Sequence, residues 1–235
     1  MTRPAVRVGV TLPTFREDPA AVGFARDAEA AGLDGVFVFD HLWPMGRPDR
    51  PALAAFALLG AVAASTDSVA LGPLVARVGL VPDDVMVHRF RALVGLAPGR
   101  VIAGLGTGDA KSAAENLAYG VPVADAPDRR RSLAALAASL SATGLPVWIG
   151  GGSQATADVA VTAGVAVNLW EASPAAVAAQ AARTEVTWGG PVPDDADAIV
   201  ALLAPLAAAG ATWVVCAWPA SLGAVADAAD RLRRN

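Results

Sequence analysis

The stretch Ala31-Gly32-Leu33-Asp34-Gly35-Val36-Phe37-Val38-Phe39-Asp40-His41 carries three signals in one short run. Gly32 follows an Ala-rich amphipathic segment and predicts a left-handed stop to a helix over 18–31. Gly35 to Phe39 is bulky and apolar at successive positions, which predicts a strand buried on both faces. Asp40 and His41 then turn polar where that strand ends. Helix, glycine, buried strand and polar end form a unit, and the same unit recurs on both sides.

Upstream, Val6 to Leu12 reads as a first strand, and Asp18-Pro19 as an N-cap followed by a first-turn proline. Downstream, helices are predicted over 51–65, 84–96, 128–140 and 153–163. A Ser173-Pro174 cap opens another helix, and further helices are predicted over 195–209 and from Ser221 onward. Pro205 is expected to distort the 195–209 helix. Strands are predicted over 69–78, 100–105, 146–150, 165–170, 185–188 and 212–218. Strands alternating with helices imply parallel pairing through right-handed crossovers. Eight such units close most simply into an α/β single-domain (β/α)8 TIM barrel spanning residues 1–235.

Composition bounds the function. The 235 residues are 54% hydrophobic and 17% charged, which excludes a disordered chain. Eighteen Lys and Arg against 22 Asp and Glu leave a net charge of −4, and no basic tract stands out, so nucleic-acid binding is not expected. Cys216 is the only cysteine, so no disulfide within the chain is expected and a reducing compartment fits. It reads as a core residue. With two histidines, His41 and His88, and no cysteine pair, no metal site is expected. His88 reads as structural or surface-exposed. No targeting signal and no membrane span are expected, and the expected location is the cytoplasm.

In a barrel, chemistry gathers in the loops after the strands. Asp40-His41 sits after the second strand. An imidazole beside a carboxylate can act as acid, base or hydrogen-bond donor, and serves equally as a packed structural residue. Leu71-Gly72-Pro73 in the third strand predicts a bulge or an irregular strand end. Gly104-Leu105-Gly106-Thr107-Gly108-Asp109 follows the fourth strand. It permits close approach of a flat or phosphorylated ligand, or forms a plain tight loop. Gly150-Gly151-Gly152-Ser153 opens a helix, whose free N–H groups and dipole predict an anion site, or else only a glycine-rich cap.

These pieces, in this order, resemble the bacterial luciferase-like monooxygenase superfamily, and more closely its branch that uses coenzyme F420, a deazaflavin. The anchors are Arg7-Val8-Gly9-Val10, Gly32-Leu33-Asp34 through Asp40-His41, and Leu71-Gly72. They continue with Ala97-Pro98-Gly99-Arg100, Gly106-Thr107-Gly108, Asn116 to Pro122 and Trp148 to Ser153. The resemblance implies a non-proline cis bond at Leu74–Val75, with both residues backing the cofactor ring. It implies that Asp40, Thr107, Gly108, Gly151, Gly152 and Ser153 serve the cofactor, the last three at its phosphate. It implies His41 as the proton-handling residue. Asp109 takes the position of a family Glu that serves the substrate, one methylene shorter. The family's insertion before the fifth strand is reduced here, which leaves the mouth open or completed by a partner subunit, and a homodimer is expected.

The function so implied is hydride transfer between F420 and a small organic substrate. Two alternatives stand beside it: an FMN-dependent monooxygenase, and a non-catalytic flavin- or deazaflavin-binding protein.

Overall fold

Strands with apolar residues on both faces need cover on both, and the chain supplies it by laying helices outside a closed sheet. The computed structural model describes residues 5–15, 20–44, 47–50, 52–108 and 112–234. Its strands are β1 (Arg7–Thr11), β2 (Gly35–Val38), β3 (Ala70–Pro73), β4 (Ala76–Arg77), β5 (Ala103–Gly106), β6 (Val147–Gly150), β7 (Ala166–Trp170), β8 (Val186–Gly190) and β9 (Ala211–Cys216). The helices are α1 (Ala20–Ala30), α2 (Ala55–Ala63), α3 (Asp83–Leu96), α4 (Ala113–Ala118), α5 (Ala126–Ser141), α6 (Gln154–Ala163), α7 (Pro174–Ala181), α8 (Ala196–Ala209) and α9 (Leu222–Arg234).

The sheet runs β3-β2-β1-β9-β8-β7-β6-β5-β4, every pair parallel. β3 and β4 are two halves of one barrel strand. The first half pairs with β2 and the second with β5. Leu71 bridges Val101, donating to Arg100 O at 2.8 Å and accepting from Ile102 N at 2.9 Å, so the ring closes. The expected (β/α)8 barrel is therefore the observed fold, with its third strand broken rather than continuous over 69–78. The break holds a cis peptide at Leu74–Val75.

Local chemistry sets the boundaries. Gly32 is left-handed at φ 74° and ends the turn after α1. Ser153, Ser173 and Asp195 cap α6, α7 and α8 by accepting from backbone N–H groups. Pro205 lies inside α8. The expected cap Asp18-Pro19 lies outside the described residues. Further expectations change, among them the start of the strand expected over 100–105, now at Ala103, and the end of the strand expected over 212–218, now at Cys216. α2 begins at Ala55 rather than at Pro51, and α4 was not foreseen, because six residues are too few to show a helical period. The connection from α5 to β6 is short, as the reduced insertion predicts.

Most of the core lies between the sheet and its helices. The barrel interior is filled differently. Phe37, Trp148 and Trp213 meet there, with ring centroids 5.1, 5.4 and 5.9 Å apart, alongside Leu74, Ile102, Ala166 and Val215. Offset and edge-on contacts of this kind are the favoured aromatic geometries. Gly35 makes room for them, since a Cβ there would lie 3.0 Å from the Trp213 ring and 3.1 Å from Phe37.

Candidate active site

The C-terminal ends of the strands surround a cavity of about 420 Å³. Its lining includes Asp40, His41, Leu74, Val75, Thr107, Gly108, Gly151, Gly152 and Ser153, so the structure gathers every expected site residue except Asp109. Asp109 lies outside the described residues. A larger hollow of about 770 Å³ opens at the opposite end, among the strand starts. The mouth is the better candidate, because the buried polar network and the helix N-terminus lie there.

Val75 forms the floor. Its position explains the glycines around it. A Cβ on Gly106 would lie 2.3 Å from a Val75 methyl, and one on Gly150 would lie 2.7 Å from the other. Gly106 and Gly150 leave space for Val75. Gly151 is similarly matched to Thr156, at 2.6 Å. Gly152 alone in this run has nothing near its missing side chain, and it is exposed at the start of α6. The first-turn N–H groups of a helix have no intrahelical acceptor, so this end of α6 suits an anion. Ser153 Oγ accepts from Thr156 N at 3.3 Å and lies 2.9 Å from its hydroxyl, which fixes that turn.

The wall beside His41 is held by a residue that sequence reasoning missed. Glu115, on α4, is 0% exposed. Its Oε1 lies 2.7 Å from His41 Nδ1. Its Oε2 accepts from Leu42 N at 2.8 Å and from Arg77 Nη2 at 2.9 Å. Arg77, itself buried, donates from Nε to Asp40 O at 2.8 Å and from Nη1 to Asn116 Oδ1 at 3.2 Å. Its backbone N–H donates to Asp40 Oδ2 at 3.1 Å. One arginine thus ties the β2 loop to β4 and α4. A carboxylate can only accept, so Nδ1 carries the proton toward Glu115 and Nε2 is the nitrogen left for chemistry. Burial pushes the Asp40 carboxyl above its ordinary value, against the pull of Arg77. Thr107 spends its hydroxyl on Gly108 O at 3.2 Å. The signal for Glu115 was Arg77: an arginine in an otherwise apolar strand needs a buried carboxylate, and only contacts across the fold identify which one.

An aromatic ridge bounds the cavity. Phe39 and Trp170 rise from β2 and β7, on opposite sides of the barrel, and meet across the mouth at 5.8 Å. Phe15 stacks on Phe39 at 6.0 Å and lies 6.0 Å from His41.

His88 is exposed on α3, away from the mouth. Cys216 is buried in β9, and burial pushes its thiol up to about 12, so it is no nucleophile. Among the described residues no His, Cys, Asp and Glu group could hold a metal, and no helix is long and apolar enough to cross a membrane.

A family model described as luciferase-like monooxygenase matches residues 6–136. The chain is 43% identical over 103 residues to an F420-dependent glucose-6-phosphate dehydrogenase of Beutenbergia cavernae, a match covering 43% of this chain and 30% of that protein. It is 36% identical over 115 residues to the Nakamurella multipartita protein of the same name, covering 46% and 33%. The matches therefore span about a third of those relatives' length. Among solved structures, an F420-dependent secondary alcohol dehydrogenase in complex with an F420-acetone adduct superposes with a TM-score of 0.81 at 14% identity, over 98% of this chain and 100% of that one. The F420-dependent tetrahydromethanopterin reductase of Methanopyrus kandleri follows at 0.73 and 13%, over 97% of each. At such identities the likeness is one of fold.

Proposed function

Because the chain belongs to the luciferase-like monooxygenase family, we propose that it is an oxidoreductase passing hydride between coenzyme F420 and a small organic substrate at the barrel mouth. The observation that carries this reading is His41, fixed at Nδ1 by a buried carboxylate on the edge of a cavity with an apolar floor and a helix N-terminus at its rim. The names of the curated relatives, F420-dependent dehydrogenases, support the choice of cofactor.

The residues present fit such a group. Val75, pressed against Gly106 and Gly150, offers a flat ring an apolar floor with no polar group to desolvate. Leu74 lies beside it. Gly152, Ser153 and the first turn of α6 would receive an anionic tail, with Gly151 shaping the turn. Asp40, Thr107 and Gly108 would line the ring's edge. Bound F420 supplies the hydride donor or acceptor. When an alcohol carbon gives up hydride, His41 Nε2 takes the hydroxyl proton; in the reverse direction it returns that proton to the carbonyl oxygen. Glu115 keeps the ring turned for this exchange, and Arg77 holds Glu115 in place. Asp109 is proposed as a second polar group serving the substrate.

Titration with oxidised F420 and, separately, with FMN tests the reading. F420 should bind far more tightly. Preference for FMN would point to a monooxygenase, and tight F420 binding without turnover to a binding protein. His41→Ala should lower turnover by roughly 10²–10⁴-fold, the range for loss of a proton-transfer group. Its F420 affinity should stay within a few-fold of the parent. Unchanged turnover would remove His41 from the mechanism. A cytoplasmic location and a homodimer complete the proposal; the dimer is supported by exposed Leu117 and Tyr119 at the end of α4, where Tyr119 packs against Trp43.

A further inference from the structure

Trp170 is an exposed aromatic residue that the structure nevertheless fixes on several sides. It is 43% exposed. Its indole N–H donates to Glu171 Oε1 at 2.9 Å, and Glu171 itself takes a left-handed φ of 53°, a rare conformation for a residue with a side chain. Gly189 lies under the ring, where a Cβ would come within 2.9 Å of it. Phe39 meets its edge at an interplanar angle of 68°. A flat apolar surface held still in the free protein loses little freedom when a partner stacks on it, which favours binding.

The charges of the cavity point the same way. Among its described lining residues the only cationic side chain is Arg77, and each of its three nitrogens already donates to Asp40, Asn116 or Glu115. The one anion seat, the start of α6, is taken by the cofactor in the proposed function. A substrate phosphate would find no uncommitted cation among the described lining residues, whereas an uncharged ring would find Phe39 and Trp170.

We propose that Trp170, backed by Phe39, is a specificity-determining residue selecting an uncharged, ring-bearing carbonyl or alcohol substrate over a sugar phosphate. The inference rests on the proposed function for calling the bound molecule a substrate, and its test separates the two.

Calorimetric titration with 2-acetonaphthone, an uncharged bicyclic ketone, and with glucose 6-phosphate is run on the protein alone and on protein saturated with F420. The ketone should bind saturably in both states, and glucose 6-phosphate at least tenfold more weakly. Trp170→Ala should weaken ketone binding about tenfold and Trp170→Phe by less than threefold, since the smaller ring keeps a stacking face. Tighter binding of glucose 6-phosphate by the parent protein would overturn the proposal without any variant. So would ketone affinity unchanged in Trp170→Ala, no ketone binding in either state, or displacement of the ketone by F420, which would give the ridge to the cofactor. Failure of F420 to bind would instead sink the proposed function, and the ketone arm on cofactor-free protein would still decide whether the ridge selects uncharged rings.

Discussion

Glu115 bears on His41, Leu42 and Arg77 at once, so its replacement tests the network more sharply than any change at the cavity surface. In Glu115→Gln the shape is nearly kept, but Arg77 loses its buried counter-charge. Breaking a buried pair by removing one partner typically costs about 3–5 kcal/mol. Urea unfolding of this variant should show a loss of that order. A loss below about 1 kcal/mol would mean that water or another carboxylate already serves Arg77. Legibility at this scale was uneven. Asp40 and His41 were readable because they break an apolar strand end. Glu115 was not, because it lies 74 residues from His41 and its role exists only once α4 is folded against β4. The glycine runs at 104–108 and 150–152 signal a ligand loop, an anion site or plain turns, whereas the fit of Gly106 and Gly150 to Val75 exists only across strands.

Among elements, the broken third strand decides the shape of the mouth. The break aims Val75 at the glycines of β5 and β6, and the fit leaves no slack. Gly150→Ala should cost roughly 1–3 kcal/mol, the range for overpacking a filled site. Adding Val75→Ala should make the pair less than additive, because the second change removes the group that the first one strikes. Strict additivity in a thermal double-mutant cycle would show that the two positions do not touch. Gly72-Pro73 signalled an interruption here, since neither residue suits a buried strand interior. The redirection of the chain after Leu74 was implied by family resemblance alone. The aromatic ridge was unreadable, because Phe39, just after β2, and Trp170, at the end of β7, come opposite only when the sheet closes.

For the whole molecule, the alternation of apolar strands and amphipathic helices was enough to give the barrel, since each unit's period is local and repeated. What covers the outside is a different matter. Leu117 and Tyr119 are 72% and 61% exposed, and Tyr119 packs on Trp43, so an apolar surface for a second copy is available at the end of α4. Light scattering should give about twice the 23.6 kDa of the chain, and Tyr119→Glu should shift that mass toward the monomer. A parent protein that is monomeric at high concentration would rule out the dimer.

The three rings inside the barrel have an optical consequence. Trp148 and Trp213, 5.4 Å apart at 66°, are close and skewed enough for their electronic transitions to couple, and the resulting near-ultraviolet circular dichroism depends on the sheet being closed around them. Helices contribute little at those wavelengths. The protein therefore carries a built-in spectroscopic gauge of its central sheet, distinct from the far-ultraviolet signal of its outer shell, by which opening of the barrel can be told apart from fraying of the helices.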